Sequence, residues 1–349
     1  MRPTLATRAL GVAAGAALLQ LIMITAFAWP SARLGPHDVP IVVTGPQAAA
    51  VAERLDRARP GAFDIETRQD EAAARAALTD REAYGAIVTT PAGARVLTAS
   101  AASPMVAQQL GQLAQTMAQE QGAPAQEGPA GSAPARSGAP SSAQSPSAAV
   151  QDVVAADPDD PRGAGFGALV LPLIMSGIAA SVLLTFAIPV RAWRAAGMVM
   201  FALLGGFGAA GIAQGWLSLL PGSYLTLAGV MTLSILAVAG TVAGLGAFAG
   251  RAGIAAGALL MLLVGNPLSA ASSAPELLPQ PWGGLGQFLP PGAAVTLLRS
   301  TAFFDGAGAA APLTVLLAWA AAGFALLAAA GLRGRGEGEP AVEREPALV

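Results

Sequence analysis

The sequence predicts an α-helical polytopic membrane protein with six transmembrane helices and a small extracytoplasmic α/β domain between spans 1 and 2. The first observation is charge: residues 163–332 carry only Arg191, Arg194, Arg251, Glu276, Arg299 and Asp305. A water-soluble domain of that size cannot cover its surface with so little charge, whereas a lipid-facing bundle needs no more. The second is length. A hydrocarbon core about 30 Å thick takes about 20 apolar residues at about 1.5 Å rise each, and five runs in this half plus one at the N-terminus fit it. The third is the distribution of Arg, which falls on alternate sides of those runs.

Residues 1–8 form a cytoplasmic N-terminus with Arg2 and Arg8, and the first span covers 9–29, closed by Trp29-Pro30. Its apolar run exceeds the roughly 7–15 residues of a signal-peptide core, which favours a retained span. Ala26-Phe27-Ala28 has the form of a cleavage site, so a removed leader is the alternative.

Residues 30–121 form an extracytoplasmic α/β domain and helix. A β-branched run at 39–44 reads as a strand, and 47–58 as a helix with Ala50, Val51 and Leu55 on one side. Period-two alternation at 63–67 reads as a strand, 70–78 as a helix, and 84–89 and 95–98 as strands. The order β-α-β-α-β-β describes a small α/β domain that needs bracing. A helix over 105–121 carries Val106, Leu110, Leu113 and Met117 at 4-3-4 spacing, a seam for one partner helix. Residues 122–165 read as a disordered linker, rich in Pro, Ala, Ser and Gly and then acidic. Asp157, Asp159 and Asp160 could be weak calcium ligands, but the flanking Pro158 and Pro161 favour a solvated acidic segment.

The five-helix transmembrane domain spans 166–332. Its crossings are 166–188, 195–217, 224–249, a fifth beginning after Arg251, and 310–332. The fifth runs to Gly265, or through a kink at Asn266-Pro267 to Ser273, with Ser269, Ser272 and Ser273 meeting the freed backbone groups. Gly pairs four apart (Gly11/Gly15, Gly211/Gly215, Gly240/Gly244, Gly246/Gly250, Gly253/Gly257) favour close helix packing within the subunit, with a dimer seam as the alternative. Outer re-entrant or interfacial helices are expected over about 274–304: one with Leu285, Phe288 and Leu289, the other with Val295, Leu298 and Ala302, broken at Pro290-Pro291. A cytoplasmic tail occupies 333–349. With Arg2 and Arg8 inside, Arg191, Arg194, Arg251, Arg333 and Arg335 also fall inside, and of the short outer segments only one holds an Arg, Arg299. Both termini are therefore expected in the cytoplasm, and 30–165 outside.

Composition excludes chemistry. All nineteen basic residues are Arg, which leaves no Lys for a phosphate loop or a Schiff base. With no Cys and a single His, His37, there is no thiol nucleophile and no zinc cluster; His37 reads as an ordinary solvated residue. The chain by itself is not expected to be an enzyme, and no cofactor or metal site is expected. A net charge of −2 offers no basic surface to nucleic acid. Scarce Lys and Asn beside abundant Ala, Gly, Pro and Arg mark a GC-rich bacterial genome, so the lipid bilayer partner is a bacterial cell membrane.

The architecture, the strand start at 39–44, the strand at 84–88 and the segment from Leu289-Pro290-Pro291 to Leu298-Arg299 resemble the permeases of type-2 ABC exporters, in particular the YhgE/Pip-like branch. The resemblance covers most of the chain and rests on architecture more than on any one motif. It implies an exporter or a cell-envelope factor working as a homodimer, with a separate ATPase subunit. Exporters of this class dock their ATPase through an N-terminal interfacial helix and a cytoplasmic helix between spans 2 and 3. Here the first offers eight residues and the second only 189–194, against the roughly 800 Å² per partner of a stable interface. Arg191, Trp193 and Arg194 are the candidate docking residues, with an interfacial belt role for Trp193 as the alternative. Asn266, Pro267, Glu276, Arg299 and Asp305 are candidate pathway or gating residues, because charge and broken helix are costly inside a bundle. For the three charged residues, a place at the wet outer interface is the alternative.

Overall fold

A computed structural model describes residues 5–91, 93–122 and 150–336. The described residues fall into two compact units, one of 5–35, 164–271 and 275–336, the other of 36–163 with 272–274.

The sheet unit has the predicted β-α-β-α-β-β order. It comprises β1 (Val39–Thr44), α2 (Ala48–Ala58), β2 (Phe63–Arg68), α3 (Glu71–Thr79), β3 (Gly85–Thr90) and β4 (Gly93–Thr98), numbered after the apolar helix α1 (Leu5–Ala32). Val39, Ile41, Val42 and Val43 are buried because β1 is central and parallel to both β2 and β3, with Ile41 opposite Ile65 and Gly85. Such a strand is covered on both faces, which explains its unbroken β-branched run. Asp70 caps α3, its Oδ1 accepting from Ala73 N–H at 2.8 Å.

Two expectations about this unit are corrected. The seam of α4 (Pro104–Gly122) packs on its own sheet: Val106, Leu110 and Ala114 are buried, and Leu110 fills the space a side chain at Gly85 would need. A 4-3-4 stripe fits a sheet as well as a helix, and here the sheet is at hand. The acidic stretch is also built in. Residues 150–152 form β5 (Val150–Asp152), parallel to β4, and complete the order β2-β1-β3-β4-β5. Asp152 Oδ1 accepts from Ser100 N–H at 3.0 Å and its other oxygen from the Ser100 hydroxyl. Asp157 Oδ1 accepts from Asp159 N–H at 2.9 Å in a side-chain turn. The Pro/Ala/Ser/Gly-rich part of the expected linker, 123–149, lies outside the described residues. His37 is half-buried, and its Nδ1 is shut from solvent without a hydrogen-bond partner among the described residues.

The helical unit has five helical stretches long and apolar enough to cross a membrane. They are α1, α5 (Ala164–Ala187), α6 (Arg191–Ala210) with a π-helical turn at Gly211–Trp216, α7 (Tyr224–Leu259) with a π-helical turn at Leu260–Gly265, and α10 (Ala310–Gly336). The α7 stretch is two limbs. Ala249 (φ −121°, ψ 15°) and Gly250 (φ 63°, ψ −141°) leave helical geometry, and a Cβ on Gly257 would lie 3.1 Å from Val242 Cα. Along a straight helix those residues would be about 22 Å apart. The limbs therefore run antiparallel, folded back at Ala249-Gly250 with Arg251 exposed at the turn.

The first limb is the centre of the bundle, with Leu227, Met231, Ile235, Ala239 and Val242 buried. Several expected Gly contacts appear. A Cβ on Gly244 would overlap the carbonyl of Gly323 in α10, and Gly253 closes on Leu245 within the α7 fold-back. Nothing lies within 4 Å of a Cβ on Gly11, Gly15 or Gly215. Helix α1 is exposed along its apolar length. It is held at its end, where Trp29 meets Trp282 edge-on at 6.3 Å and Gly35 N–H donates to Leu277 O at 2.9 Å.

Candidate functional site

The second limb of α7 stops short of a full crossing. At its π-helical turn Asn266 N–H donates five residues back, to Met261 O, at 2.9 Å, and Pro267 then ends the helix. Ser269 Oγ donates to Asn266 O at 2.7 Å, so one of the three expected serines meets the freed backbone. The chain continues irregularly through a 3-10 turn at Pro275–Leu277 and the short α8 (Trp282–Gly286) into α9 (Pro290–Phe303). The two expected short helices are present, separated at 287–289, and of the two placements α9 takes the one inside the protein; only the role given to Pro290-Pro291 is corrected. These prolines open α9 at its first positions, where a missing N–H and a preset φ suit the helix. Moreover α9 is buried: Pro290, Val295, Leu298 and Ser300 all lie inside the bundle.

The position of α9 along α10 follows from one hydrogen bond. Trp319 Nε1 donates to Phe288 O at 2.8 Å. Trp319 is nine residues past Ala310, about 14 Å along α10. Gly265 sits beside Pro291, whose Cγ would be 2.7 Å from an added Cβ. The end of the broken limb and the start of α9 therefore meet beside the first third of α10, and α9 runs back to the start of α10. Within a membrane bundle, irregular backbone is tolerated only where protein covers it. Here an added Cβ on Gly286 would overlap Leu268 O, and one on Gly292 would overlap Gly286 O.

Polar groups gather around this start. Thr296 Oγ1 donates to Gln287 Oε1 at 2.6 Å, while Gln287 Nε2 is buried without a hydrogen-bond partner among the described residues. Neither residue stands out in the sequence; the signal was the Pro-Pro pair, a helix start nine residues from Arg299. Between α5, the first limb of α7 and the start of α9 lies an apolar crevice lined by Val170, Ile174, Met231, Val238, Pro291 and Leu298. It holds about 10 Å³ of space, room for at most one water. The α9 start is packed shut.

The five pathway candidates separate. Asn266 and Pro267 form the break itself. Arg299 on α9 is 4% exposed, donates from Nη2 to Ala271 O at 3.1 Å, and lies over the Phe166 ring at 4.9 Å. Glu276 is half-buried in the 3-10 turn, and Asp305 is exposed at the α9–α10 turn with φ 50°. Of these five, only Arg299 combines charge with burial.

The docking candidates also separate. Arg194 folds inward and donates to Ile188 O at 2.9 Å and Thr185 O at 3.2 Å. It thereby satisfies carbonyls left open at the C-terminus of α5. Trp193 is 71% exposed and Arg191 is exposed as well. Arg333 and Arg335 lie in the last turns of α10. No metal-binding group of three His, Cys, Asp or Glu occurs among the described residues. No protein-family model, curated protein or solved structure matches this chain.

Proposed function

We propose that this chain is the membrane permease subunit of a type-2 ABC-like exporter, of the YhgE/Pip-like kind, moving an amphipathic or lipid-like cargo outward. The observation that carries the reading is the broken second limb of α7 meeting the start of α9 beside α10; in this reading that junction lies within the membrane. Discontinuous helices at the midplane are where transporters form their cargo sites, because half-helix ends and unwound backbone supply polar groups there. An anchor needs no such break. In this reading the first limb of α7 is one crossing, and the second limb, continued outward by α9, makes another, which gives six. Both termini and the Arg251 turn are cytoplasmic, and residues 30–165 are extracytoplasmic. Energy comes from a separate ATPase chain, since a protein without Lys lacks the phosphate-loop residue. The working unit is a homodimer.

A second reading has its own observation. With Arg194 committed to α5 carbonyls, the cytoplasmic turn offers only Arg191 and Trp193 as outward docking groups. That suits a non-transporting envelope protein whose outer domain binds a surface or secretion partner. Purification of the tagged protein from its own membranes in mild detergent, with mass spectrometry of bound chains, decides between the two. Stoichiometric recovery of a nucleotide-binding subunit supports the exporter. Recovery of the chain alone or with envelope proteins, across several mild detergents, overturns it.

A further inference from the structure

One end of the helical unit gathers cations. Met198 of α6, Ala239 and Ala243 of the first α7 limb and Leu327 of α10 form one buried cluster. The first α7 limb and α10 run the same way, since Gly240 meets Ala320 and, further on, Ala243 clusters with Leu327. Arg191 lies seven residues before Met198, Arg251 eight after Ala243, and Gly331 four after Leu327. A Cβ on Gly331 would lie 3.7 Å from Arg191 Cδ, which ties α10 to α6 there. The start of α6, the fold-back turn of α7 and the last turns of α10 therefore share one end, each about 6–12 Å along its helix from the cluster.

Its charge is unbalanced within the unit. Arg191, Trp193 and Arg251 are exposed there, and Arg333 and Arg335 follow in the last turns of α10. Arg194 is committed to the carbonyls of α5. Among the described residues neither Arg191 nor Arg251 has an ion-pair partner. The only acidic residues of 164–336, Glu276 and Asp305, lie instead in the turns before α8 and before α10.

The chain itself supplies the opposite sign. It passes this end at Gly331 and continues, outside the described residues, as 337–349, with Glu337, Glu339, Glu343 and Glu345 against the single Arg344. Seven residues from Gly336 to Glu343 span up to about 25 Å, whereas packed helices lie about 8–10 Å apart, so these carboxylates reach either Arg. One exposed ion pair contributes little, but several charges around one point act as a network, and guanidinium groups match carboxylates in a fork geometry. We propose that the tail 337–349 docks on this end of the helical unit, its carboxylates against Arg191 and Arg251 and its chain across Trp193. In the exporter reading these are the outward docking groups, which the tail then occupies; the contact itself does not rest on that reading.

The test uses the full chain in phosphatidylcholine nanodiscs. Since the chain has no Cys, bimane, a fluorophore quenched by nearby tryptophan, can be attached at Ala341→Cys or at Ala347→Cys. Quenching is expected at one of the two positions or both, with fluorescence at least doubled by Trp193→Phe, by R191Q/R251Q and by about 0.5 M NaCl, which screens exposed charges. The tail variant E337Q/E339Q/E343Q/E345Q, which alters no residue of the described fold, should give the same recovery. The proposal is overturned if Trp193→Phe changes nothing at either position, or if quenching survives loss of the tail carboxylates. Relief of quenching when phosphatidylglycerol is added to the nanodisc gives this end to lipid head groups and overturns it too. Failure to recover an ATPase leaves this result unaffected, so the two readings fail separately.

Discussion

Replacing Gly253 by Ala tests the fold-back of α7 at its tightest point. The added methyl group would sit inside the Leu245 carbonyl group and 3.1 Å from Gly246 N, both backbone atoms of the opposite limb. No side-chain rotation relieves that overlap. The limbs must part by about 1 Å, and a gap of ~0.5–1 Å already forfeits about a quarter to a half of each dispersion contact along the seam. Overpacking of this kind costs about 1–3 kcal/mol. For a unit of this size that corresponds to a fall of about 2–12 °C in melting temperature. Gly246→Ala meets side-chain atoms of Ile254, Cγ1 at 2.6 Å, rather than backbone, so its effect should be smaller. Gly11→Ala has nothing within 4 Å and should stay within about 0.5 kcal/mol of the parent. Melting of the three purified variants in one detergent gives the order. Equal melting of Gly253→Ala and Gly11→Ala would refute the limb contact, and with it the fold-back.

Further expectations concern single bonds. Trp319→Phe removes the bond to the Phe288 carbonyl and should lower stability by about 1 kcal/mol, with faster exchange at the start of α9; unchanged exchange there would contradict its attachment to α10. Arg299→Gln removes both the Ala271 hydrogen bond and the contact with Phe166, about 2 kcal/mol together. Lost export with unchanged melting would instead make Arg299 a pathway residue. Asp152→Ala should loosen β5 by about 1 kcal/mol, read as faster exchange over 150–156 but not over 39–44. In the docking turn, Arg191→Glu with Trp193→Ala should weaken ATPase recovery, whereas Arg194→Gln should lower melting first, and the reverse pattern would contradict the inward role of Arg194.

The sequence made long-period features readable. Apolar runs of membrane length and the alternation of strand and helix through 39–98 are written in composition and periodicity, and they appear as expected. Features that depend on what lies across space were not readable. Three residues of β5 carry no period, and they form a strand because β4 offers an open edge. The stripe of α4 names a buried face without naming what covers it. Arg194 reads as a surface charge until the open carbonyls of α5 appear beside it. The Pro-Pro pair was read as a break between helices, although proline at the first helical turn starts one. Within the candidate site, Asn266 and Pro267 were legible as a kink because Pro cannot continue a helix. The position of α9 along α10 was not, because it hangs on the bond from Trp319 to a backbone carbonyl.

The exporter account stands on six crossings with both ends inside. Since the chain has no Cys, single cysteines can be placed without background at Arg59, at Arg251 in the α7 turn, and at Ala341 in the tail. Intact cells are then treated with a membrane-impermeant maleimide and compared with lysed cells. The account predicts labelling of Arg59→Cys in intact cells, and labelling of Arg251→Cys and Ala341→Cys only after lysis. Labelling of Arg251→Cys or Ala341→Cys from outside would contradict it.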